Sequence, residues 1–465
     1  MSSRARLVLV VLCAAQFMAA LDFSILNIAL PTLGPDLGLS DANLQWAVTA
    51  FALPSGGFLL LFGRIGDMVG RRRIFICGLL LFTLASVLAT VAWGVAPFLI
   101  ARALQGVATA AIVPTGMALL TTSFAEGALR DRALGISGMV LSLGFTIGML
   151  LGGALTQAFG WRSTMALGVI LGAIILVMVP ALVTESRAGA AQRLDLPGAI
   201  TVTGGLLALI YAVSTASTNG WAEPDVIGAL IAAVVLLIAF GIVESRARQP
   251  LVSLHILRRR AVAWGNFGGL VTFSMMSAVV FLSTLYLQQV LDVSPAVSGL
   301  VFGIVGIFAA ASGMLAPRVV GRFGSRPVLV LGLAVQAVFV ASLIWVGPHD
   351  GILLVTIAAS LACVGHLTAI VSYGITATSG LSNDEQGLAT GLATTAQQVG
   401  ITIGIPIISA IAAGHTAALA AAGTETVEAT LSGFRLGFGV DAAIVATAAV
   451  LIGLFLLGAK RTRSR

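Results

Sequence analysis

Two residues of opposite charge, Asp22 and Arg102, stand inside apolar stretches of the sequence. Asp22 lies in the stretch 7–30 and Arg102 lies in the stretch 97–122. If these are helices that run in opposite directions, the rise per residue puts Asp22 about 13 Å and Arg102 about 7.5 Å from the same end. An arginine side chain can cover that difference. The pair is then either a titrating pair that binds and releases a proton, or a fixed ion pair that holds two helices together.

Other polar and aromatic side chains extend this candidate site. Gln105 and Thr109 follow Arg102 at helical spacing and continue one polar stripe. His366, in the stretch 351–376, could exchange protons or could be a hydrogen-bonded packing residue. Large apolar side chains could line a pocket or simply contact lipid and core: Phe23, Trp46, Phe51, Phe145, Phe273, Met275, Met276 and Phe281. We expect a central cavity lined by Phe23, Asn27, Trp46, Gln105, Thr109, Phe145, His366 and Gln397.

The composition defines the elements that must position these side chains. The chain has 465 residues, of which 58% are hydrophobic and 9% are charged, whereas soluble domains carry about 25% charged residues. An apolar helix of about 20 residues spans a bilayer. Fourteen stretches fit that length: 7–30, 44–63, 74–93, 97–122, 133–159, 164–183, 196–216, 225–243, 262–290, 296–317, 327–347, 351–376, 386–413 and 436–459. We therefore predict an all-α polytopic membrane protein with 14 transmembrane helices.

The basic residues predict the orientation of these helices. They number 25 against 18 acidic residues, and 22 of them fall in alternate loops and at the two termini. Short loops rich in arginine face the cytoplasm. We therefore expect both termini in the cytoplasm, a location in the plasma membrane, contact with the lipid bilayer and no nucleic-acid partner. The first stretch is too long for a signal peptide and is expected to remain as a helix.

Internal repetition divides the chain into two parallel halves. Residues 144–148 recur as 400–404, and Arg64, Gly70 and Arg72 recur 254 positions later as Arg318, Gly324 and Arg326. The predicted organisation is an N-terminal six-helix bundle (1–190), a two-helix insert (191–250) and a C-terminal six-helix bundle (251–465). The insert has no charge within its spans and is expected at the periphery. Parallel repeats place a binding site at mid-membrane between the halves.

Four motifs resemble those of the major facilitator superfamily, in its fourteen-span drug:proton antiporter branch. Residues 63–73 resemble the loop signature between the second and third helices, residues 21–31 the first-helix signature, and residues 102–106 the fourth-helix motif. The antiporter motif of the fifth helix is matched by Gly144, Gly148, Gly152 and Gly153. Met68 replaces the arginine that usually follows the loop aspartate, and Met149 replaces a proline that bends this helix in relatives.

The resemblance implies a gate at the cytoplasmic face. Asp67 would face the amino-terminal end of the thirteenth span and stabilise its dipole when this face closes. Asp384 and Glu385 at the start of that span could attract the arginine turn, residues 71–73. The alternative is that all these residues are solvated loop charges. The predicted gate residues are Gly63, Asp67, Gly70, Arg71, Asp384 and Glu385.

The resulting functional hypothesis is a secondary transporter that exports small hydrophobic compounds in exchange for protons by alternating access. The single lysine, Lys460, lies in the tail without a phosphate-binding loop, so ATP is not the expected energy source. No enzyme motif, cofactor or metal site is predicted, and a monomer is expected to suffice. A metabolite importer and a non-transporting receptor or scaffold stay open as alternatives. Asp22 is the only acid expected deep in a span, because Asp441 should lie at the outer edge of the last stretch.

Overall fold

The computed structural model describes residues 3–40, 43–124, 127–186, 196–220, 222–246, 256, 259–379, 381 and 383–457. Regular structure in these ranges is entirely helical. The helices are α1 (Ser3–Leu37), α2 (Gln45–Gly57), α3 (Leu59–Val69), α4 (Arg71–Thr90), α5 (Val95–Ser123), α6 (Ala128–Phe159), α7 (Arg162–Leu182), α8 (Leu196–Asn219), α9 (Pro224–Arg246), α10 (Arg260–Leu285), α11 (Pro295–Phe323), α12 (Ser325–Ala341), α13 (Ile352–Thr378), α14 (Asn383–Ala421) and α15 (Thr426–Ile452).

These helices account for the fourteen predicted spans. Among the described residues, 13 helices are long and apolar enough to cross a membrane, and α2 with α3 forms one further span bent by 47°. The prediction of an all-α polytopic fold is confirmed. The helix ends near residues 70 and 324 form what we call the arginine-rich end of the bundle, and the ends near residues 38 and 294 form the arginine-poor end.

The internal repeat is visible in two kinds of packing. Gly70 and Gly324 both adopt positive φ, 129° and 84°, at equivalent tight turns where a side chain would be strained. At the arginine-poor end, Arg162 donates to the carbonyl oxygen of Ala92, and Arg435 donates to that of Val346. Each arginine therefore binds the segment that follows a neighbouring helix in its own half.

The two halves meet along α6 and α11 toward the arginine-poor end. A Cβ atom added to Gly153 would lie 2.5 Å from the carbonyl oxygen of Pro295 and 3.1 Å from Cα of Gly299. Nearby, the Gln288 side chain donates to the carbonyl oxygen of Ile28 at 3.0 Å. This end of the bundle is therefore closed by direct backbone contact.

A second seam joins α2 to α14 near the middle of the bundle. The hydroxyl of Thr402 donates to the carbonyl oxygen of Ala52 at 3.2 Å, and the Gln398 side chain donates to Ser55 at 3.4 Å. Thr402 also donates to the carbonyl oxygen of Gln398 in its own helix, so its hydroxyl has an alternative acceptor.

The two inserted helices do not share one environment. Helix α8 packs against both α2 and α14: Gln45 donates to the carbonyl oxygen of Ser214, and Leu206 packs with Val399. Helix α9 packs on α8, and only a small share of its surface is buried. The expectation that both helices are peripheral is therefore wrong for α8, because its small and branched residues fill the groove between the halves.

The α6–α11 seam generates a stability prediction. Gly153→Val should lower the melting temperature of the purified protein in detergent, because overpacking a close contact costs about 1–3 kcal/mol. Gly135→Val is the matched control on the same helix, since nothing lies within 4 Å of its added Cβ. Equal melting temperatures for the two variants would show that the stability of this seam does not require a residue without a side chain at position 153.

Candidate functional site

The predicted ion pair is formed, and it is completely enclosed. Arg102 Nη1 lies 2.8 Å from Asp22 Oδ2, and the two side chains are 0% and 3% exposed. Gln105 Nε2 donates to Asp22 Oδ1 at 3.3 Å and to the Ser86 hydroxyl at 2.9 Å. Arg102 also donates to Gln105 Oε1 at 2.8 Å. One network therefore joins α1, α4 and α5, with each carboxylate oxygen satisfied.

Arg102 connects this network to α2. Its Nε donates to the carbonyl oxygen of Ala47 at 3.2 Å, and its guanidinium carbon lies 4.5 Å from the centroid of the Phe51 ring. Phe51 in turn lines the central cavity. The Phe51 ring therefore contacts both the guanidinium group of Arg102 and the central cavity.

The central cavity has a volume of about 450 Å³ and lies between the two halves. Its lining comes from α1, α2, α5 and α6 on one side and from α10, α11, α13 and α14 on the other. It occupies the middle of the bundle and extends toward the arginine-rich end, for example to Met117 of α5 and Thr394 of α14. The lining includes the sequence candidates Phe23, Phe51, Thr109, Phe145, Phe273, Met276, His366 and Gln397.

Three residues expected to line the cavity lie elsewhere. Gln105 is part of the ion-pair network. Asn27 is buried one turn beyond Phe23 and donates to the carbonyl oxygen of that residue. Trp46 turns away and packs against Tyr211 of α8, with ring centroids 6.4 Å apart. Met275 and Phe281 likewise pack in the hydrophobic core. Hydropathy gave the depth of these residues but not the direction in which each helix face points.

His366 lines the cavity as part of a neutral network in the C-terminal half. Its Nδ1 lies 2.9 Å from the Thr272 hydroxyl, and Gln336 Nε2 donates to the carbonyl oxygen of Thr272 at 3.3 Å. The Phe273 ring packs edge-on against the imidazole, with centroids 5.2 Å apart. Thr272 and Gln336 were missed from the sequence, although a glutamine inside the apolar stretch 327–347 was the available signal.

The antiporter motif brings α6 against two partners. A Cβ atom at Gly144 would lie 2.8 Å from the carbonyl oxygen of Phe17, and one at Gly152 the same distance from that of Ile25. Gly148 likewise faces the backbone of α1, whereas Gly153 faces α11. Met149 is fully buried, and α6 is one continuous helix without the proline. Glycine alone allows this close backbone approach.

The predicted gate loop is bound to its own half in this structure. Arg71 Nε lies 2.8 Å from Asp67 Oδ1, and the Arg71 backbone N–H donates to the carbonyl oxygen of Ser186. The Arg72 N–H donates to a carboxylate oxygen of Glu185 at 3.0 Å, which also fills the space beside Gly70. Glu185 therefore caps the start of α4, a role that sequence reasoning missed.

The structure describes the surroundings of only some of the remaining gate residues. Gly63 packs beside Pro114, with an added Cβ at 3.6 Å. Helix α14 begins at Asn383, but the side chains of Asp384 and Glu385 lie outside the part of the chain whose side chains the structure describes. In the described part, the ion-pair partner of Asp67 is Arg71.

This arrangement defines a class of protein: two repeated sets of membrane-spanning helices around a central cavity form a multi-pass membrane transporter. The family model of the Major Facilitator Superfamily matches residues 12–405, and the chain belongs to that superfamily. The chain shares its fold with a solved POT-family transporter at a TM-score of 0.73 and 14% identity, which covers 98% of each chain. It also resembles a human organic anion transporter at a TM-score of 0.62, covering 97% of this chain and 100% of that one.

Curated relatives are transport or resistance proteins and not enzymes. The puromycin resistance protein pur8 of Streptomyces alboniger is 37% identical, covering 95% of this chain and 90% of the relative. The cephamycin export protein CmcT of Amycolatopsis lactamdurans is 34% identical over 89% of this chain and 86% of its own. The lincomycin resistance protein of Streptomyces lincolnensis is 31% identical, with coverages of 96% and 92%.

The enclosed ion pair generates a prediction about stability. Arg102→Met leaves Asp22 without its cation, and removing one partner of a buried pair costs about 3–5 kcal/mol. The double variant Asp22→Asn/Arg102→Met removes both charges and should melt at a higher temperature than Arg102→Met alone. Thermal unfolding in detergent, compared with Asp22→Asn and the parent, measures the coupling. A double variant whose destabilisation equals the sum of the single effects would contradict the pairing.

Proposed function

We propose that this protein exports small hydrophobic compounds, antibiotics among them, in exchange for protons by alternating access. The observation that carries the proposal is a substrate-sized cavity whose lining includes Phe51, the ring that packs against Arg102 of the enclosed Asp22–Arg102 pair. The names of the relatives, which are antibiotic export and resistance proteins, support the direction of transport.

The proposed orientation puts the arginine-rich end in the cytoplasm, with both termini there and the protein in the plasma membrane. The seams at Gly153 and Gln288 then close the outer face, while the cavity extends toward the cytoplasm. The structure corresponds to the cytoplasm-facing state under this orientation. The two bundles, 1–190 and 251–465, move relative to each other, and a monomer provides the complete path.

The cavity lining supports a neutral or singly charged substrate. Aromatic and aliphatic side chains dominate it, and the described lining holds no Asp, Glu, Lys or Arg. Thr109, Gln397 and Gln398 provide hydrogen-bonding groups on opposite sides. Such a surface binds an apolar body with a few polar groups, because burying a full charge without a partner is costly.

In the proposed cycle, Asp22 carries the exchanged proton. The carboxylate is held by Arg102 and Gln105 when it is ionised. Protonation removes the ion pair, so α1 and α5 lose their electrostatic connection and Gln105 can change partners. Because Arg102 also contacts Phe51, this rearrangement reaches the cavity wall. Substrate release and proton binding are thereby linked through one side chain.

The gate acts at the opposite stage of the cycle. When the cytoplasmic face closes, Asp67 approaches the amino-terminal end of α14, whose dipole attracts a negative charge by about 0.3–2 kcal/mol. Asp384 and Glu385 add a weaker attraction for the arginine turn, since exposed pairs contribute about 0–1 kcal/mol. In the state seen here, Arg71 holds Asp67 instead.

The coupling proposal is tested with Asp22→Asn. Reconstituted into vesicles, this variant should lose substrate accumulation driven by a proton gradient, because the amide cannot carry a proton. Asp36→Asn is the matched control: Asp36 pairs with Arg162 at the arginine-poor end, away from the cavity. If Asp22→Asn accumulates substrate at the parental rate against a gradient, Asp22 does not couple transport to protons.

The gate proposal is tested by disulfide formation across the arginine-rich end. In a background without Cys13, Cys77 and Cys363, cysteines placed at positions 65 and 391 should crosslink more slowly in Asp67→Asn than in the parent. The physical reason is a smaller population of the closed state, by up to about tenfold for each 1.4 kcal/mol lost.

Asp36→Asn is the control for a simple loss of an exposed acid, since Asp36 pairs with Arg162 at the arginine-poor end. An unchanged crosslinking rate in Asp67→Asn would show that the loop is a topological anchor and not a gate.

A further inference from the structure

Asp441 is a second acid enclosed within the helical bundle. Helix α15 begins at Thr426, but Asp441 lies only six residues, about 9 Å, beyond Arg435, which binds the carbonyl oxygen of Val346 at the arginine-poor end. The side chain is nevertheless 0% exposed. Asp441 therefore lies near the arginine-poor end, as expected, but its carboxyl group is shielded from solvent by the surrounding helices.

Neither carboxylate oxygen of Asp441 has a hydrogen-bond partner in the described part of the chain. Its own helix presents Phe438, Ala442 and Val445 to the hydrophobic core. One turn earlier, Gly437 faces Leu282, and also Ala412 and Ile408. These neighbouring positions are apolar.

The charged and titratable groups of the packed helices are bound elsewhere or lie at the ends. Helix α15 packs against α10, α12 and α14. Arg435 donates to the carbonyl oxygen of Val346, and His415 of α14 contacts the Ser432 hydroxyl, both on the arginine-poor side. Arg260 and Arg326 stand at the arginine-rich ends of α10 and α12. No described salt bridge includes Asp441.

The internal repeat relates Asp441 to an equivalent position in the N-terminal half. Arg162 and Arg435 occupy equivalent places, so the residue six positions after each is also equivalent: Gly168 in the N-terminal half and Asp441 in the C-terminal half. A Cβ atom at Gly168 would lie 3.1 Å from the Ser86 hydroxyl, which binds Gln105 of the Asp22 network. Asp441 therefore lies at the depth of the proton site of the other half.

We propose that Asp441 is a second proton-binding residue of the transport cycle, protonated in the conformation seen here and deprotonated in the opposite one. An unpaired carboxylate in a dry, aliphatic environment is too costly to keep, so the neutral acid is the stable form. Release of the proton requires that movement of the C-terminal half brings water or a cation to α15. The proposal deepens the proposed function, on which it rests, by adding a second proton carrier.

Infrared difference spectroscopy on the purified full-length protein tests this directly. The carbonyl stretch of a protonated carboxyl group should be present near neutral pH in the parent, retained in Asp22→Asn and lost in Asp441→Asn. Asp36→Asn, which alters an exposed acid, is the control for non-specific change. A band that survives in Asp441→Asn would overturn the protonation of this residue. If Asp441→Asn misfolds, labelling of the parent by dicyclohexylcarbodiimide replaces it, and absence of label on the Asp441 peptide overturns the proposal.

The link to conformation is tested with a lock on the α6–α11 seam. Leu150→Cys with Gly303→Cys, whose parental side chain and added Cβ are in contact, should hold the arginine-poor end closed after oxidation. The Asp441 band should then resist alkaline pH in the oxidised protein and disappear in the reduced protein.

If the Asp441 band responds to pH identically in the oxidised and the reduced protein, Asp441 is a fixed structural acid and the proposed proton exchange is overturned. These measurements need no substrate. The result for Asp441 is therefore independent of the result of the export assay with Asp22→Asn, and either proposal can be overturned without the other.

Discussion

The enclosed ion pair of Asp22 and Arg102 is the interaction on which the N-terminal half depends. A bilayer interior offers no water to a charged group, so each charge needs a partner at the correct depth on another helix. Arg102 meets that need by contacting α1, α2 and α5 at once. The same contacts connect three helices through one side chain. Under the proposed function, a single proton on Asp22 would alter all of these contacts.

Close backbone approach is the second constraint, because lipid provides no hydrophobic force to bring helices together. Rows of glycine on α6 and α14 allow contact with the backbones of α1 and α10, as Gly148 does with Leu21 and Gly404 with Ser274. A further glycine, Gly153, turns the same helix toward the other half. One helix thus packs within its own bundle and also forms the seam between the halves.

Length, hydropathy and residue spacing were sufficient to predict the fourteen spans and the Asp22–Arg102 contact. The depth of a residue along a helix follows from its number, but the side of the helix that faces the cavity does not. For this reason Trp46 and Gln105 were wrongly expected to line the cavity. Glu185 was missed because it lies in a loop whose path depends on tertiary packing. The enclosure of Asp441 was missed because hydropathy does not show how closely the neighbouring helices surround a side chain.

The two halves surround their buried acids differently. Asp22 has Arg102 and Gln105 as partners, whereas neither carboxylate oxygen of Asp441 has a hydrogen-bond partner in the described part of the chain. Under the proposed function, this asymmetry would allow the two acids to bind and release protons at different steps of the cycle. Movement of the halves would change the surroundings of both acids at once, and that shared change would order the steps.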